Sequence, residues 1–253
     1  MDKKEILDRA KDPKLISGIY NYCDRWCERC SFTSRCLNFA MEEDQKRKAD
    51  GADENNEQFW SQIQDSFDIA LSLLADLAEE FGIDLDAVEI EEGAAPENRE
   101  HILSAMAGQY IRTVKEWFDL NRVSISEAVE KENAPLKLVR AEAEEGRIPI
   151  AEAIEVIDYY KYFIGAKLER ALKGKDEDAG DDFNDLPKDS DGSAKIALIA
   201  MDRSISAWGV VASRLAGHKA AAAEIIGRLK RIRGITEKEF PEARAFVRPG
   251  FDD

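Results

Sequence analysis

The sequence predicts an all-α protein: a helical bundle of about five to seven helices with a small four-cysteine, metal-binding subdomain at its N-terminus. Three observations support this fold class. Apolar residues recur at intervals of three and four along most of the chain, whereas no alternation of period two extends beyond a few residues. All four cysteines of the 253-residue chain lie within 14 residues of one another. We therefore expect a helical core and one local metal site.

Composition divides the chain into three parts. Residues 1–45 contain the cysteines and predict the helical metal-binding subdomain. Residues 55–234 predict the helical bundle, which an acidic, mobile, glycine-containing loop interrupts at 173–192. Residues 235–253 contain two prolines and are typical of an extended tail that packs its phenylalanines.

The boundaries of the earlier helices are marked by capping residues, prolines and glycines. Asp12 followed by a proline predicts the start of the first helix, because proline suits the first helical turn. A second helix is expected to end at Gly82, which can adopt the left-handed conformation that closes a helix. Ser124 and Glu127 fit a capping box that opens a short helix, and Pro149 stands at the start of a long one.

The later helices are predicted from their apolar surfaces. Segment 194–215 is apolar on more than one side, which is typical of a helix surrounded by its neighbours. Gly217 interrupts it, and the next helix is expected to stop at Gly234 after the basic run 228–233. In the second helix, one apolar stripe is expected to face the core. Its residues are Phe59, Ile63, Phe67, Leu71, Leu74, Leu77 and Phe81.

The charge of the chain restricts its partners and its compartment. It has 52 acidic and 36 basic side chains, a net charge of −16. This charge repels phosphate backbones and anionic lipid surfaces, so we expect a protein partner rather than nucleic acid or a membrane. Neither a secretory signal nor an apolar run of about 18 residues is found, which predicts a cytoplasmic protein. Because the cytoplasm keeps thiols reduced, clustered cysteines favour a metal site over disulfides.

Cys23, Cys27, Cys30 and Cys36 are separated by three, two and five residues. Four cysteines at such short spacings predict a metal site, since cysteines with a packing role alone would be scattered. If the first three share one helical face, the outer two are about 10.5 Å apart along the axis. Zinc needs its sulfurs within about 4 Å of one another. The spacing therefore favours a [4Fe–4S] cluster, with Zn²⁺ as the alternative.

The residues between the cysteines suit a cluster of this kind. Three arginines would offset the negative charge of four thiolates, and four aromatic side chains could shield the centre from water. The arginines are Arg25, Arg29 and Arg35, and the aromatics are Tyr20, Tyr22, Trp26 and Phe32.

Two families share part of the cysteine pattern. The first three cysteines have the Cys-x3-Cys-x2-Cys spacing of radical SAM enzymes, but the predicted helical context and a fourth cysteine do not fit that family. The stretch from Cys27 to Cys36 resembles the Cys-x2-Cys-x5-Cys end of the iron–sulfur nucleases of CRISPR and recombination systems. The resemblance implies a cluster of the same type. It does not imply nuclease activity, because the catalytic Glu-x-Lys element of those enzymes occurs nowhere in this chain.

Other chemistry has weaker support. His101 and His218 are the only histidines, and neither follows a glutamate by three residues as a di-iron bundle requires. The chain has no phosphate-binding glycine loop, zincin motif or nucleophile elbow. Asp158 and Asp202 interrupt apolar helices together with basic neighbours, which predicts an internal polar network. We expect that network to be structural, although it could line the pocket of an enzyme.

Three functions follow from these expectations. The metal centre could hold the N-terminal subdomain folded in an interaction protein. It could instead change redox state in a sensor protein. An enzyme that uses the polar positions is the third possibility.

Overall fold

The computed structural model describes residues 3–49, 56–84, 101–133, 148–178 and 188–252. Within these ranges every regular element is helical, and no strand is found. The all-α prediction is therefore confirmed. The α-helices are α1 (Lys3–Ala10), α2 (Leu37–Ala49), α3 (Asn56–Phe81), α4 (Ile102–Asn133), α5 (Ile150–Asp178), α6 (Asp189–Arg214) and α7 (Lys219–Glu239). Two short 3-10 helices, Cys27–Arg29 and Thr33–Arg35, lie between α1 and α2.

The chain forms two compact units. Unit 1 consists of Met1–Arg99 together with Arg248–Asp253, and unit 2 of Glu100–Val247. Unit 1 therefore contains α1 to α3 and all four cysteines, whereas unit 2 contains α4 to α7. The C-terminal residues belong to the same unit as the cysteines although they are far from them in sequence.

Unit 2 is a closed four-helix bundle. Contacts join α4 to α5, α5 to α6, α6 to α7 and α7 back to α4, so each helix packs against two neighbours. Trp208 of α6 is fully buried, and its ring meets the ring of Trp117 of α4 edge to face at 4.8 Å. At the end of α4, Glu132 accepts a hydrogen bond from the backbone N–H of Ile150 at 2.6 Å, which caps the start of α5.

Helix α6 is buried on more than its inner side, as its composition predicts. The chain that follows α7 lies against it: Lys195 donates to the carbonyl of Phe246, and Asp202 pairs with Arg244. Phe240, Ala243 and Phe246 of this segment are buried. Helix α6 is also long and apolar enough to cross a membrane by length and composition alone. Half of the relevant window is buried in the protein, and core helices pass the same test.

Several predicted boundaries agree with the structure. Helix α3 ends before Gly82, whose φ of 67° is the left-handed conformation expected there. Pro149 directly precedes α5. Gly217, with φ of 84°, lies between α6 and α7.

Other predicted boundaries are wrong. The first helix precedes Asp12 instead of starting there, and α4 runs through Ser124 without a break. The Ser124 hydroxyl donates to the carbonyl of Asn121, so the residue is satisfied inside the helix. Helix α7 continues through Gly234 to its end five residues later.

Both ends of the acidic loop predicted at 173–192 are helical. Residues 173–178 complete α5, and residues 189–192 form the first turn of α6. The intervening residues 179–187 lie outside the described part of the chain. Acidic residues suit the first turn of a helix, because they interact favourably with its dipole.

The stripe of α3 is not buried, in contrast to the prediction. Among the described side chains of α3, Ala78 alone is buried, and Ile63 is half-buried. Six large apolar side chains are 49–72% exposed. They are Trp60, Phe67, Leu71, Leu74, Leu77 and Phe81. The side chain of Phe59 lies outside the described residues.

Candidate metal centre

The cysteine segment does not form the continuous helix that the spacing predicts. Arg25 has a left-handed backbone with φ of 60°, and Trp26 leaves helical geometry with ψ of 71°. The Asp24 carboxylate accepts a hydrogen bond from the Trp26 N–H at 3.2 Å, an Asx-turn that competes with helix formation. The prediction that three cysteines share one helical face is therefore wrong, and the axial distance derived from it does not apply.

Two 3-10 turns position the last three cysteines. Cys27 opens the first turn, and Cys30 closes it in an extended conformation. Cys36 closes the second turn in the same way.

The cysteine segment contacts residues that precede it and residues that follow it in the chain. The N–H of Ile16 donates to the carbonyl of Arg35 at 3.0 Å, and the Arg35 Nε donates to the carbonyl of Lys14 at 3.3 Å. At the other end of the chain, Phe251 meets Phe32 edge to face with ring centroids 5.0 Å apart. Residues 14–16 and Phe251 therefore contact the cysteine segment from two distant parts of the chain.

Gly250 lies close to the side chains of Ile16 and Ile19. Its φ is 75°, and a Cβ at this position would lie 2.8 Å from the Cδ1 of Ile16 and 3.0 Å from the Cδ1 of Ile19. Both the backbone conformation and the available space therefore require glycine here.

All four cysteines line one cavity. This partly open cavity has a volume of ≈ 20 Å³. Aromatic and aliphatic side chains form most of the remaining wall. These are Ile19, Tyr20, Trp26, Phe32, Phe39 and Phe251. Of the four aromatic residues that the sequence predicts to shield the centre, Tyr20, Trp26 and Phe32 line this cavity, and Tyr22 does not.

The thiols are close enough to influence one another electrostatically. Burial raises the pKa of the Cys27 thiol, and the negative charges of Glu42 and of the other three cysteines raise it further. Burial also raises the pKa of Cys23. The backbone N–H and the positive charge of Arg25 lower this pKa, but their effect is smaller than that of burial. Without a cation the Cys23 and Cys27 thiols are protonated at neutral pH, and a metal ion bound beside them would reverse this balance.

Backbone N–H groups are directed at two of the sulfurs. The N–H of Phe32 donates to the Sγ of Cys30 at 3.4 Å. The N–H of Arg25 makes the corresponding contact with Cys23, two residues before it. Such N–H···S bonds stabilise thiolates that ligate a metal.

The four cysteines line the cavity, but they do not form a site for a single metal ion. In the described part of the chain, no three His, Cys, Asp or Glu side chains converge closely enough to hold a single metal ion. All four cysteines are free and half-buried.

The predicted arginines have different positions. Arg25 lines the cavity and influences Cys23. Arg29 lies over the ring of Trp26, with its guanidinium carbon 4.2 Å from the ring centroid. Arg35 donates a hydrogen bond to the carbonyl of Lys14. Phe39 and Phe251 were not predicted as part of the site. No local sequence pattern predicts the position of Phe251, because it depends on contact between the C-terminal residues and the cysteine segment.

The polar positions of unit 2 form separate ion pairs. Asp158 pairs with Lys161 one turn further along α5. Asp202 pairs at 2.8 Å with both Arg233 and Arg244, which joins α6 to α7 and to the segment after it. The prediction of one internal network is therefore wrong for these two carboxylates, because they lie in separate ion pairs and their side chains are 59% and 38% exposed.

Tyr110 is a buried titratable group of unit 2. Burial raises its pKa to about 12, against smaller opposing effects of Trp208 and Ser204. The hydroxyl therefore stays neutral at physiological pH and is unsuited to general-base chemistry.

The chain was also compared with known proteins. No family model, curated protein or solved structure matches it.

Proposed function

We propose that Cys23, Cys27, Cys30 and Cys36 bind a [4Fe–4S] cluster and that this centre organises unit 1 of an interaction or redox-sensing protein. The observation that carries the proposal is the single cavity lined by all four thiols. Four cysteines are the complete complement of the chain, so no thiol is left without a role in the centre.

The arrangement of the thiols favours a cluster over zinc. A zinc ion requires four sulfurs at about 2.3 Å from one point, which brings them within about 4 Å of one another. The four cysteines line one cavity, and among the described residues no three metal-binding side chains form a site for a single ion. A cubane carries its four ligands at the corners of a larger body and suits such an arrangement better. Structural zinc is the alternative.

The wall of the cavity and its hydrogen bonds suit a cluster too. Trp26 is buried, and together with the other aromatic residues of the wall it limits the access of water. N–H groups that point at Cys23 and Cys30 would disperse the negative charge of the ligated sulfurs. Arg25 would add a positive charge beside Cys23.

The biological role follows from what such a centre can do in this fold. A cluster that holds unit 1 folded would present its helices to a protein partner, and one that changes redox state would alter that presentation. The net charge of −16 favours a protein over nucleic acid or an anionic membrane, and reduced cysteines fit a cytoplasmic location. The alternative of an enzyme with a polar pocket has less support, because Asp158 and Asp202 are held in separate ion pairs.

Metal analysis of protein purified without oxygen tests the proposal. We expect a brown protein with broad visible absorption and about four iron and four sulfide ions per chain. Serine at Cys27 or Cys30 should abolish most of the absorption. Ser34→Ala is the matched control, because Ser34 is exposed in the same segment and does not line the cavity. A colourless protein that contains one zinc and no iron would establish the alternative, and a protein free of both metals would refute the site.

A further inference from the structure

The last residues that the structure describes form a turn that is closed on itself. The Arg248 guanidinium donates two hydrogen bonds to the Asp252 carboxylate, at 2.9 and 2.8 Å, and the Arg248 N–H donates a third at 3.1 Å. The N–H groups of Phe251 and Asp252 both donate to the carbonyl of Arg248 at 3.1 Å. Residues 248–252 therefore form a compact element, which we call the C-terminal turn.

The C-terminal turn belongs to unit 1 and packs against the cysteine segment through apolar contacts. The ring of Phe251 lines the cysteine cavity and meets the ring of Phe32 edge to face at 5.0 Å. A Cβ at Gly250 would lie 2.8 Å from the Cδ1 of Ile16, so the backbone of the turn lies directly against that side chain. Val247, the residue before the turn, is 60% exposed. The turn therefore closes one side of the cavity and is preceded by an exposed residue.

The residues that the turn contacts are held by the cysteine segment itself. The N–H of Phe32 donates to the Sγ of Cys30 at 3.4 Å. The N–H of Ile16 donates at 3.0 Å to the carbonyl of Arg35, the residue before Cys36. An N–H···S bond to a metal-bound thiolate is stronger than one to a neutral thiol, because the acceptor then carries negative charge. The surface beneath the turn therefore depends on whether the cysteines hold a metal.

The remaining packing of unit 1 strengthens this dependence. Ile19 and Trp26 are buried, and both of them line the same cavity as the thiols. Loss of a metal from the cavity would loosen these side chains together with Phe32, since they share one wall. The site and the surface that holds the turn are thus one local structure.

We propose that the C-terminal turn is a lid on the cysteine centre, closed while a metal is bound and released when the metal is lost. The closed lid covers one side of the thiols with the ring of Phe251. Its release uncovers Phe251 and the side chain of Ile16, so the state of the centre changes the surface of unit 1. This inference rests on the metal site proposed above and concerns its regulation, and it applies to a cluster and to zinc alike.

Hydrogen exchange of the whole chain measures release of the lid. We expect residues 250–252 to exchange at least about tenfold faster after removal of the metal with EDTA and a reductant than in the loaded protein. The reason is that an ion pair alone holds a five-residue turn only weakly once its packing is lost. Residues 225–236 of α7 are the internal control and should exchange at the same rate in both forms.

Variants separate covering of the site from folding. Phe251→Ala removes the ring that closes the cavity, so transfer of metal from the loaded protein to EDTA should be at least about threefold faster. Exchange of residues 14–36 in the loaded variant should stay at the native rate. Asp252→Asn weakens the pair that closes the turn and should accelerate the transfer by a smaller factor. Val247→Ala is the matched control and should change neither rate.

Three results obtained with loaded protein would overturn the lid alone. Equal exchange of residues 250–252 with and without metal would show that the turn does not respond to the centre. Equal rates of metal transfer from the native protein and from Phe251→Ala would show that the ring does not cover the thiols. Faster exchange of residues 14–36 in loaded Phe251→Ala would make the ring a support of the fold.

The metal content of the native protein is measured first. A native protein that holds neither iron nor zinc would remove the metal site and the lid together. Failure of the proposed function is thereby distinguished from failure of the lid, which requires a protein that has bound its metal.

Discussion

Units 1 and 2 are both helical, but they are stabilised in different ways. Among the described residues of unit 1, three apolar side chains are buried: Ile19, Trp26 and Ala78. Unit 2 buries apolar side chains on all four of its helices, including Trp208, Leu198 and Ile164 with no exposed surface. A small apolar core rarely stabilises a unit by itself, so unit 1 is where a metal centre has most to contribute.

Removal of the metal should have the largest effect, and it should be confined to unit 1. Structural metal ions stabilise small domains by about 10 kcal/mol or more, because the unfolded chain holds no preformed site. We expect chelation or oxidation to accelerate hydrogen exchange in residues 14–36 and to leave α4 to α7 protected. Exchange measured by mass spectrometry before and after metal removal provides the comparison. Unchanged exchange around the cysteines would contradict a structural role for the metal.

Trp208→Ala should destabilise unit 2 and leave unit 1 unchanged. Removal of a fully buried tryptophan from a closed bundle costs about 3–5 kcal/mol of unfolding free energy. Chemical denaturation measures this loss, and metal content should be unchanged. Leu120→Ala, at a position that is 84% exposed, is the control and should change stability by less than about 0.5 kcal/mol. A loss of metal in the Trp208 variant would mean that the units are not independently stabilised.

Gly250→Ala tests the enclosure of the cysteines with a single methyl group. The new Cβ would lie 2.8 Å from Ile16 in a backbone conformation that alanine rarely adopts, so we expect destabilisation of unit 1 by about 1–3 kcal/mol. Metal content, measured as iron or zinc per chain, should fall. Gly227→Ala in α7 is the matched control, since its Cβ meets nothing and a helical alanine stabilises by about 0.5–1 kcal/mol. Equal metal content in both variants would argue against a role of the C-terminal residues at the site.

The ion pairs of Asp202 should contribute the smallest effect, and only to unit 2. Partial burial alone would raise the pKa of this carboxyl, but hydrogen bonds from Arg244 and Arg233 outweigh it and leave the pKa below its usual value. The stabilisation is therefore present above the unfolded pKa of about 3.9 and is lost as the pH falls below it. Because Asp202 is more than a third exposed, we expect less than about 1 kcal/mol.

Denaturation of the native protein and of Asp202→Asn between neutral pH and pH 3 measures this contribution. The difference in unfolding free energy should shrink below about pH 4. Asp158→Asn removes a pair within one helix and should change little at any pH. A difference that grows towards acid would reverse the assigned sign.

The fold of unit 2 could be predicted from the sequence because its signals are local. Pro149 and Gly217 restrict the backbone where they stand, and apolar periodicity identifies buried helix faces. The same reasoning failed for Ser124 and Gly234, whose local preference is weaker than the packing of a long helix. Periodicity also identified the apolar face of α3, but it carries no information on what covers that face.

For the candidate site, the sequence predicted the four cysteines and part of the aromatic wall, but not their geometry. The helical spacing of Cys23, Cys27 and Cys30 is real, yet the Asp24 side chain and the backbone of Arg25 break the helix between them. A side chain that competes for backbone N–H groups leaves the apolar period unchanged, so the period alone cannot detect it. Phe251 could not be predicted, since its place depends on a contact between distant parts of the chain.

The position of Phe251 also sets an order of events during synthesis. The last wall of the cysteine cavity emerges from the ribosome 215 residues after Cys36. At a translation rate of about 5–20 residues per second, the thiols remain uncovered on that side for roughly 10–40 s. All of unit 2 is made within this interval. The nascent chain therefore has a long period in which its cysteines are accessible to a metal donor, and equally to oxidants, before the C-terminal residues close over them.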